Sequence, residues 1–149
     1  MPTVQEISRK AEEVVTVDPE ATVEETAQTM EEENVGCVII AEDNEPTGIV
    51  TDRDIAIRVV SKGRNPSNLT AGDIMSDDVV TVDTGEEISD VIQKLGESGV
   101  RRLPVVEDGE IAGIITLDDI VVMLAVEQRS ISAEFDSISS VIRSESPPY

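Results

Sequence analysis

The amino-acid sequence predicts an α/β (α+β) fold in which two tandem β-α-β-β-α units pack face to face with pseudo-twofold symmetry. The main observation is an internal repeat: after a shift of 65 positions, residues 14–60 align with residues 79–125 without a gap, and 16 of the 47 pairs are identical. A second is that Phe135 and Tyr149 are the only aromatic residues. The core must therefore be aliphatic and rich in β-branched residues, which favours sheets flanked by helices.

The elements of the first repeat follow from changes in hydrophobic period along the chain. Val14, Val15 and Val17 predict a short strand over residues 14–17, and apolar residues at helical spacing predict a helix over about 23–33. The continuous apolar run 35–41 is too short for a helix and is typical of a buried strand. After an acidic turn, residues 47–50 form a further strand, and a helix opens at Thr51.

The second repeat predicts the same order of elements. These are a strand at 79–82, a helix at about 88–98, strands at 102–106 and 110–115 joined by an Asp108-Gly109 hairpin turn, and a helix at 117–126. The polar residues 61–78 are predicted to connect the repeats. The chain thus divides into a first motif with its lead-in at 1–66, a second motif at 67–126, and a C-terminal helix and disordered tail at 127–149.

Composition excludes several classes of function. The chain has 32 acidic and 11 basic side chains and a net charge of −21, so it repels phosphate backbones and nucleic acid is not an expected partner. Such a charge is typical of proteins from salt-loving organisms, where the Debye length shrinks to about 3 Å at 1 M salt. With Cys37 as the single cysteine and no histidine, the chain cannot form a Cys/His zinc site or a Ser-His or Cys-His catalytic pair.

The sequence also indicates a cytoplasmic protein that is not an enzyme. The first residues have no apolar stretch typical of a secretory signal, and no apolar run approaches the roughly 18 residues of a membrane span. Only carboxylate chemistry is left for catalysis, and nothing singles out a pair of acids. We therefore expect no catalytic residues, no metal and no membrane partner.

The same strand-to-helix motif occurs twice in the sequence, as GIVTDRDI at 48–55 (the first corner) and GIITLDDI at 113–120 (the second corner). One interpretation is structural, since threonine followed three residues later by aspartate is an acidic variant of the helix capping box. The other is functional. Amides, a hydroxyl and a carboxylate converge there, and a carboxylate can accept hydrogen bonds from both hydroxyls of a ribose. The glycine that opens each corner lets another group approach the backbone.

These features resemble a known family, the tandem cystathionine β-synthase (CBS) domain pair, or Bateman module. The resemblance is carried by the duplicated β-α-β-β-α pattern, by VVTVD at 14–18 and 79–83, by RRLPVV at 101–106, and by both corners. It implies a regulatory, non-enzymatic module that binds AMP, ADP, ATP or S-adenosylmethionine in clefts between the two motifs. It also implies signalling by conformational or oligomeric change, a homodimer, and an unidentified protein target.

The resemblance also implies the site residues. One cleft would be formed by Asp18, Val23, Val35, Gly36, Cys37, Ile114, Thr116 and Asp119. In it the ribose would bind Asp119 and the base would lie against Val35, Cys37 and Ile114. The pseudo-symmetric cleft would be formed by Thr51, Asp54, Asp83, Ile88, Val100 and Arg101. Arg101 and Arg102 stand where relatives place a basic pair for the phosphates, whereas the first repeat has Gly36 and Cys37, so the clefts are not equivalent.

The distribution of basic residues favours an anion site near the first corner. Six of the eleven lie beside its helix or on the strand expected to face it: Arg53, Arg58, Lys62, Arg64, Arg101 and Arg102. The alternative is that Arg53 and Arg58 pair with neighbouring acids on a solvated helix, for about 0.3–0.5 kcal/mol each. An alternative function also stays open, in which the clefts have lost their ligand and the module is a structural or protein-interaction scaffold.

Overall fold

The computed structural model describes residues 2–126, and in it the chain divides into two compact units. The first-repeat unit is Val14–Val79, and the second-repeat unit joins the residues up to Glu13 to those from Val80 onward. The segment before each repeat, residues 2–13 (the first lead-in) and residues 67–79 (the second lead-in), therefore belongs to the unit of the other repeat. The helix and tail expected at 127–149 lie outside the described residues.

The helices and strands run in the following order: α1 (Val4–Ile7), β1 (Arg9–Lys10), β2 (Thr16–Val17), α2 (Val23–Glu33), β3 (Cys37–Glu42), β4 (Glu45–Thr51), α3 (Asp52–Ile55), α4 (Ala71–Ile74), β5 (Val82–Asp83), α5 (Ile88–Ser98), β6 (Arg102–Glu107), β7 (Glu110–Thr116) and α6 (Leu117–Val126). Short 3-10 helices lie at Ala11–Glu13 and Pro66–Asn68, and α3 continues as π-helical turns over Ala56–Val60. Each repeat thus has the predicted β-α-β-β-α order.

The first-repeat unit has a three-stranded sheet in the order β2-β3-β4. Strand β2 pairs parallel with β3, and β3 and β4 form an antiparallel hairpin. Its turn residues Asp43 and Asn44 have φ of 50° and 63°. Two successive positive φ values are the mark of a type I′ turn, whose twist matches that of the strands. The hairpin therefore extends to Glu45 and Thr51, beyond the predicted 47–50.

The second-repeat unit has a four-stranded sheet in the order β1-β7-β6-β5. It repeats the hairpin of the other unit, with Asp108 and Gly109 at φ of 52° and 82° in the turn. The extra strand is β1 from the first lead-in, which pairs antiparallel with β7. The lead-in thereby becomes part of the sheet that ends in the second corner.

Both cores are aliphatic, as the composition predicts. The core of the first-repeat unit consists of Val17, Val23, Met30, Val38, Ile40, Val50, Val59, Ala71 and Ile74. The core of the second-repeat unit consists of Val4, Val82, Ile88, Val91, Ile92, Leu95, Leu103, Val105, Ile115, Leu117, Ile120 and Leu124.

The second lead-in lies within residues 61–78, the predicted connection between the repeats, and it also contributes to a core. Ala71 and Ile74 of α4 are buried in the first-repeat core. The helix begins with a capping box, in which the Asp73 amide donates to Thr70 Oγ1 at 3.2 Å and the Thr70 amide donates to Asp73 Oδ2 at 2.9 Å. The polar composition of the segment concealed this short amphipathic helix, which supplies only two core side chains.

Candidate functional site: the two strand-to-helix corners

The first corner contains a complete capping box. Asp54 N donates to Thr51 Oγ1 at 3.1 Å, and Thr51 N donates to Asp54 Oδ2 at 2.9 Å. These bonds satisfy amides at the start of α3 that have no partner in the helix. The structural interpretation of the first corner is therefore confirmed. The Asp54 side chain is only 18% exposed, so its second oxygen is held at the edge of the unit rather than in bulk solvent.

The second corner shares the hydroxyl bond but uses its carboxylate differently. Asp119 N donates to Thr116 Oγ1 at 3.1 Å, as in the first corner. The Asp119 carboxylate, in contrast, accepts hydrogen bonds from Arg9 Nε to Oδ2 and from Arg9 Nη2 to Oδ1, both at 3.2 Å. Capping alone therefore does not account for Asp119, whose charge faces a cation from the first lead-in.

The Arg9 and Asp119 side chains form a bidentate ion pair, the geometry that a planar guanidinium favours with a carboxylate. The hydrogen bond and charge of Asp119 raise the pKa of Arg9 above its ordinary value, so Arg9 stays protonated. Arg9 is 53% exposed and Asp119 is 23% exposed. Because water screens the pair on one side, its net stabilisation is small.

Arg58 joins the first corner to the second lead-in. Its Nη1 donates to the Ile74 carbonyl at 2.6 Å and its Nη2 to Ser76 Oγ at 3.2 Å. Its guanidinium also lies 3.6 Å from the Asp54 carboxylate, four residues earlier on the helix. The alternative that Arg58 pairs with a neighbouring acid is thus confirmed, and its two shorter contacts go to the second lead-in.

The start of the hairpin lies beside each corner. In the first-repeat unit Cys37 pairs with Thr51 across the strands, and Asp52 N donates to the Gly36 carbonyl at 2.9 Å. In the second-repeat unit Arg102 pairs with Thr116, and Leu117 N donates to the Arg101 carbonyl at 2.8 Å. Cross-strand neighbours lie about 5 Å apart. Cys37 and Arg102 therefore lie next to the corner threonines with which they pair.

The two corners differ in charge at these equivalent positions. A Cβ at Gly36 would lie 2.9 Å from Asp52 Oδ2, so the glycine gives room to a carboxylate. Arg101 replaces it in the second-repeat unit and lies 3.6 Å from the exposed Asp118 carboxylate. Arg102 is also exposed, and within residues 2–126 it belongs to no ion pair shorter than 4 Å. The predicted inequivalence of the clefts therefore has a counterpart in the side chains beside each corner.

The glycine that opens each corner is the point where a lead-in approaches. A Cβ on Gly48 would overlap the Met75 side chain, and a Cβ on Gly113 would overlap the Arg9 carbonyl oxygen. The expected close approach is thus present in both units. The approaching group is the chain itself, at the position where β1 or the bridge of Ser76 to Ile49 joins the sheet.

The other predicted site residues differ in what they can offer a ligand. The side chains of Val23 and Ile88 are fully buried in their own cores, so only their backbone could face a ligand. Val35 and Val100 are half-buried against those cores, and Ile114 is half-buried on β7. Asp18 and Asp83 are exposed at the ends of β2 and β5, and Asp18 Oδ1 accepts from the Glu20 amide at 2.8 Å.

Each compact unit thus assembles one group of predicted residues. The first-repeat unit brings Gly36 and Cys37 to Thr51 and Asp54, and the second-repeat unit brings Arg101, Arg102 and Ile114 to Thr116 and Asp119. The combinations of residues from both repeats stay predictions. Sequence reasoning missed Arg9. Aligning Glu6-Ile7-Ser8 with Asp73-Ile74-Met75 makes Arg9 the equivalent of Ser76, but the alignment places neither residue beside a corner.

Within residues 2–126, no group of three or more cysteine, aspartate or glutamate side chains is positioned to hold a metal ion. No helix of these residues has the length and apolarity that crossing a bilayer requires.

Comparison with known proteins agrees with the fold. The family model of the CBS domain matches residues 4–61 and 71–125. An uncharacterized protein of Methanopyrus kandleri is 43% identical over 119 residues, which are 78% of this chain and 60% of that protein. Hypoxic response protein 1 of Mycobacterium tuberculosis is 34% identical over 108 residues, 72% of this chain and 76% of that one. This chain therefore spans less than two thirds of the Methanopyrus relative.

Solved structures show the same architecture. The crystal structure of hypoxic response protein I with two coordinated zinc ions has a TM-score of 0.76 and 33% identity, and covers 83% of this chain and 100% of its own. A CBS domain pair in complex with 5′-methylthioadenosine and S-adenosyl-L-methionine has a TM-score of 0.74 and 24% identity, and covers 85% of this chain and 98% of its own.

Two β-α-β-β-α units, each ending in a Thr-x-x-Asp corner, define a regulatory ligand-binding module of tandem type. The chain belongs to the CBS domain family and contains one CBS domain pair.

Proposed function

We propose that this CBS pair binds an adenosine-containing nucleotide, either AMP, ADP, ATP or S-adenosylmethionine, and signals its presence through a conformational or oligomeric change. It would act as a homodimer in the cytoplasm, on a protein target still to be identified. In this proposal Asp119 and Asp54 accept the ribose hydroxyls at the two corners. Thr116 and Thr51 hold each carboxylate in position through the first turn of the helix.

The observation that carries the proposal is the position of the two acids. Each aspartate is less than a quarter exposed, and its backbone amide is tied to the threonine hydroxyl three residues before it. A partly desolvated carboxylate with a fixed orientation is well suited to accept hydrogen bonds from two hydroxyl groups, one on each oxygen. A cap needs no such burial, since the aspartate of the Thr70-Asp73 box is exposed.

The arginines beside the second corner support an anionic ligand. In a chain of net charge −21, Arg101 and Arg102 are adjacent, exposed and next to Thr116 across the strands. A phosphate could accept charge-assisted hydrogen bonds from both guanidinium groups and so compensate their charges. The 24%-identical CBS pair in complex with two adenosine derivatives is consistent with this ligand class, although at that identity the likeness establishes the fold only.

Thermal unfolding of the full chain in high KCl tests the proposal directly. A ligand at 100 times its dissociation constant stabilises the folded state by about 2.7 kcal/mol. We expect at least one of the four nucleotides to raise the melting temperature, and Asp119→Ala and Asp54→Ala each to remove the part of the shift that arises at its corner. If none of the four raises it, the nucleotide proposal is rejected.

Asp73→Ala is the matched control for both substitutions. Asp73 makes the same capping box with Thr70 as Asp54 makes with Thr51, but on α4 rather than at a corner. We expect Asp73→Ala to lower the melting temperature of the free protein as a lost cap does, and to leave the nucleotide shift intact. An equal loss of the shift in all three variants would show that the aspartates act through stability and not through the ligand.

A second candidate function is an interaction scaffold without a ligand. The observation that favours it is a set of exposed apolar side chains on the helices after the corners: Ile57, Val60, Val121, Val122 and Val126. Val60 and Val126 are 69% and 76% exposed. Exposed apolar side chains mark interaction sites where they form a contiguous patch, whereas single ones are common on protein surfaces. A dimer that forms with no effect of nucleotide on its stability would favour this function over sensing.

A further inference from the structure

The first lead-in places Arg9 beside the second corner by backbone pairing. In the register of β1 with β7, Arg9 lies opposite Ile114 and Lys10 opposite Gly113. The absence of a side chain at Gly113 lets the Arg9 backbone come within contact of the strand. Because side chains alternate along a strand, the Arg9 side chain is directed to one face of the sheet and that of Lys10 to the other.

The Arg9 guanidinium occupies both oxygens of the Asp119 carboxylate. Nε and Nη2 each donate at 3.2 Å, one to each oxygen, in the parallel fork arrangement. A ribose diol that binds a carboxylate through its two hydroxyls also places one donor on each oxygen. The guanidinium and the ribose diol would approach the same edge of the Asp119 carboxylate, so the two cannot bind it together in this geometry.

We propose that Arg9 is an intramolecular competitor of the ligand ribose at Asp119, so that nucleotide binding releases the first lead-in from the second corner. This inference rests on the proposed function, in which Asp119 is a ribose acceptor. The competitor is weak enough to be displaced, because half of the Arg9 side chain is exposed and an exposed ion pair contributes little to stability. It can still lower the affinity for the ligand, because the Arg9 guanidinium blocks both acceptor oxygens of Asp119.

The first corner has no equivalent competitor from its lead-in. Ser76 stands at the position of Arg9 and carries no charge, and its hydroxyl accepts a hydrogen bond from Arg58. Arg58 lies 3.6 Å from Asp54, and its shorter contacts are to the Ile74 carbonyl and Ser76. Ligand binding at Asp54 therefore leaves these contacts in place. Only the second corner couples its acid to a strand that the ligand can release.

Calorimetric titration of the full chain with adenosine tests the competition, because adenosine has the ribose and lacks the phosphates that the arginines would attract. The expected result is that Arg9→Gln binds adenosine about threefold more tightly than wild type, the gain that removal of an exposed ion pair allows. Lys10→Gln is the matched control, since it removes the same charge one residue away on the other face of β1, and its affinity should equal that of wild type.

The outcomes separate this inference from the function on which it rests. If wild type binds adenosine and Arg9→Gln binds it no more tightly, or more weakly, competition is overturned and the function stands. If neither wild type nor Arg9→Gln gives a saturable heat with adenosine and none of the four nucleotides raises the melting temperature, the function fails and the inference with it. If a nucleotide raises the melting temperature but adenosine gives no heat, the same affinities are compared with that nucleotide, and equal values for wild type and Arg9→Gln overturn competition. Weaker binding by Arg9→Gln alone would make Arg9 a ligand contact instead.

A second measurement does not depend on whether Arg9→Gln folds. In wild-type protein the Arg9 Nε–H group donates to Asp119, which slows its exchange with water and makes its nitrogen–proton resonance observable. Saturation with adenosine should shift or broaden that resonance as the pair opens. Arg9→Lys, which keeps the charge and loses the fork, should bind adenosine with an affinity between those of wild type and Arg9→Gln. An unchanged Arg9 resonance at saturation contradicts the competition.

Discussion

Arg9 and Ser76 occupy equivalent positions in the two units. Arg9 pairs with Ile114 and Ser76 with Ile49, and these isoleucines are 65 residues apart in the repeat. One arginine links each lead-in to the corner of the same unit. In one unit the arginine belongs to the lead-in, and in the other it belongs to the helix after the corner. Arg9 reaches from the lead-in to Asp119, whereas Arg58 reaches from the helix to Ser76 and the Ile74 carbonyl. Met123 stands at the position of Arg58 in the second repeat.

Arg58→Met should destabilise the chain by about 1 kcal/mol, because a half-exposed guanidinium loses its bonds to Ile74 and Ser76. Adding Ser76→Arg should restore part of that loss, since it recreates the arrangement of the other unit with an arginine on the lead-in. Urea denaturation of the two single variants and the double variant measures the coupling.

Lys62→Met is the control for charge, as it removes an exposed cation shortly after the same helix. It should change the free energy of unfolding little. If the effects of Arg58→Met and Ser76→Arg on the free energy of unfolding are strictly additive, the two positions are independent. An arginine on the lead-in then does not replace an arginine on the helix.

Gly113→Ala should destabilise more than Gly48→Ala. The new Cβ at residue 113 would overlap the Arg9 backbone carbonyl, which is part of a sheet, whereas at residue 48 it would overlap the flexible Met75 side chain. We expect a cost of about 1–3 kcal/mol for overpacking at Gly113 and less at Gly48. Chemical denaturation gives both values.

Gly85→Ala serves as the reference for these glycines, since a Cβ there meets no atom within 4 Å and its φ is not positive. It should be neutral or slightly stabilising, through the smaller entropy of the unfolded chain. If Gly113→Ala were equally neutral, the approach of the first lead-in to β7 would not be a constraint on the sequence.

Arg102→Ala should weaken AMP about tenfold or more and leave adenosine nearly unchanged, because a charge-assisted bond to phosphate is lost while the ribose contacts remain. Titration calorimetry with both ligands measures the difference. Equal losses for AMP and adenosine would show that the Arg102 side chain acts in packing rather than on phosphate.

The same variant identifies which corner shares its ligand with the arginines. Asp119→Ala and Asp54→Ala are each expected to abolish binding at one corner. Arg102→Ala should therefore have no further effect on the AMP binding that remains once the aspartate holding the same nucleotide is lost, and it should still weaken AMP in the other aspartate variant. An equal effect of Arg102→Ala in both aspartate variants would show that Arg102 does not belong to the ligand of one corner.

Acidification should lower the stability of the chain below about pH 4.5. Burial raises the pKa of Glu86, but hydrogen bonds from Lys94 and from the Asp83 amide outweigh it and hold that pKa below its ordinary value of 4.5. A carboxyl whose pKa is lowered by folding stabilises the protein above its unfolded pKa. That contribution is lost as the pH falls through the folded pKa. The backbone amides of Thr3 and Thr70 lower the pKa values of Glu6 and Asp73 in the same direction.

Glu86→Gln should therefore flatten the dependence of unfolding free energy on pH between about 3 and 5. Lys94→Met should flatten it similarly, because it removes the ammonium that lies 2.8 Å from the Glu86 carboxylate. The measurement is urea denaturation in 2 M KCl, which screens the overall negative charge. If the dependence of the unfolding free energy on pH is unchanged in both variants, the ion pair of Lys94 with Glu86 is not the source of that dependence.

Raising KCl should raise the melting temperature, because a net charge of −21 repels itself and the Debye length falls from about 10 Å at 0.1 M to about 3 Å at 1 M. Circular dichroism melts across this range measure the effect. The variant Glu31→Lys, Glu32→Lys, which changes two exposed acids on α2, should respond less steeply to salt. A melting temperature that is flat or falls with KCl would contradict adaptation of this surface to salt.

The sequence by itself determined the repeat, the order of elements and the bounds of the long helices. The spans of α2 and α5 agree with the predicted 23–33 and 88–98, and α6 begins at the predicted residue 117. These features depend on signals within a few residues of each other, such as hydrophobic period, capping residues and turn chemistry, which the chain carries locally. The repetition of Thr-x-x-Asp at both corners is a signal of the same kind.

The tertiary structure alone decided which unit each lead-in joins and what the corner acids contact. A lead-in with a single four-residue helix has too little apolar surface to specify its partner locally. Its place depends on a strand 105 positions away for the first lead-in, where Arg9 pairs with Ile114, and 27 positions away for the second, where Ser76 pairs with Ile49. The pair of Arg9 with Asp119 spans 110 positions, and no periodicity reports such a contact. It forms because β1 pairs with β7 and thereby brings a guanidinium to the carboxylate.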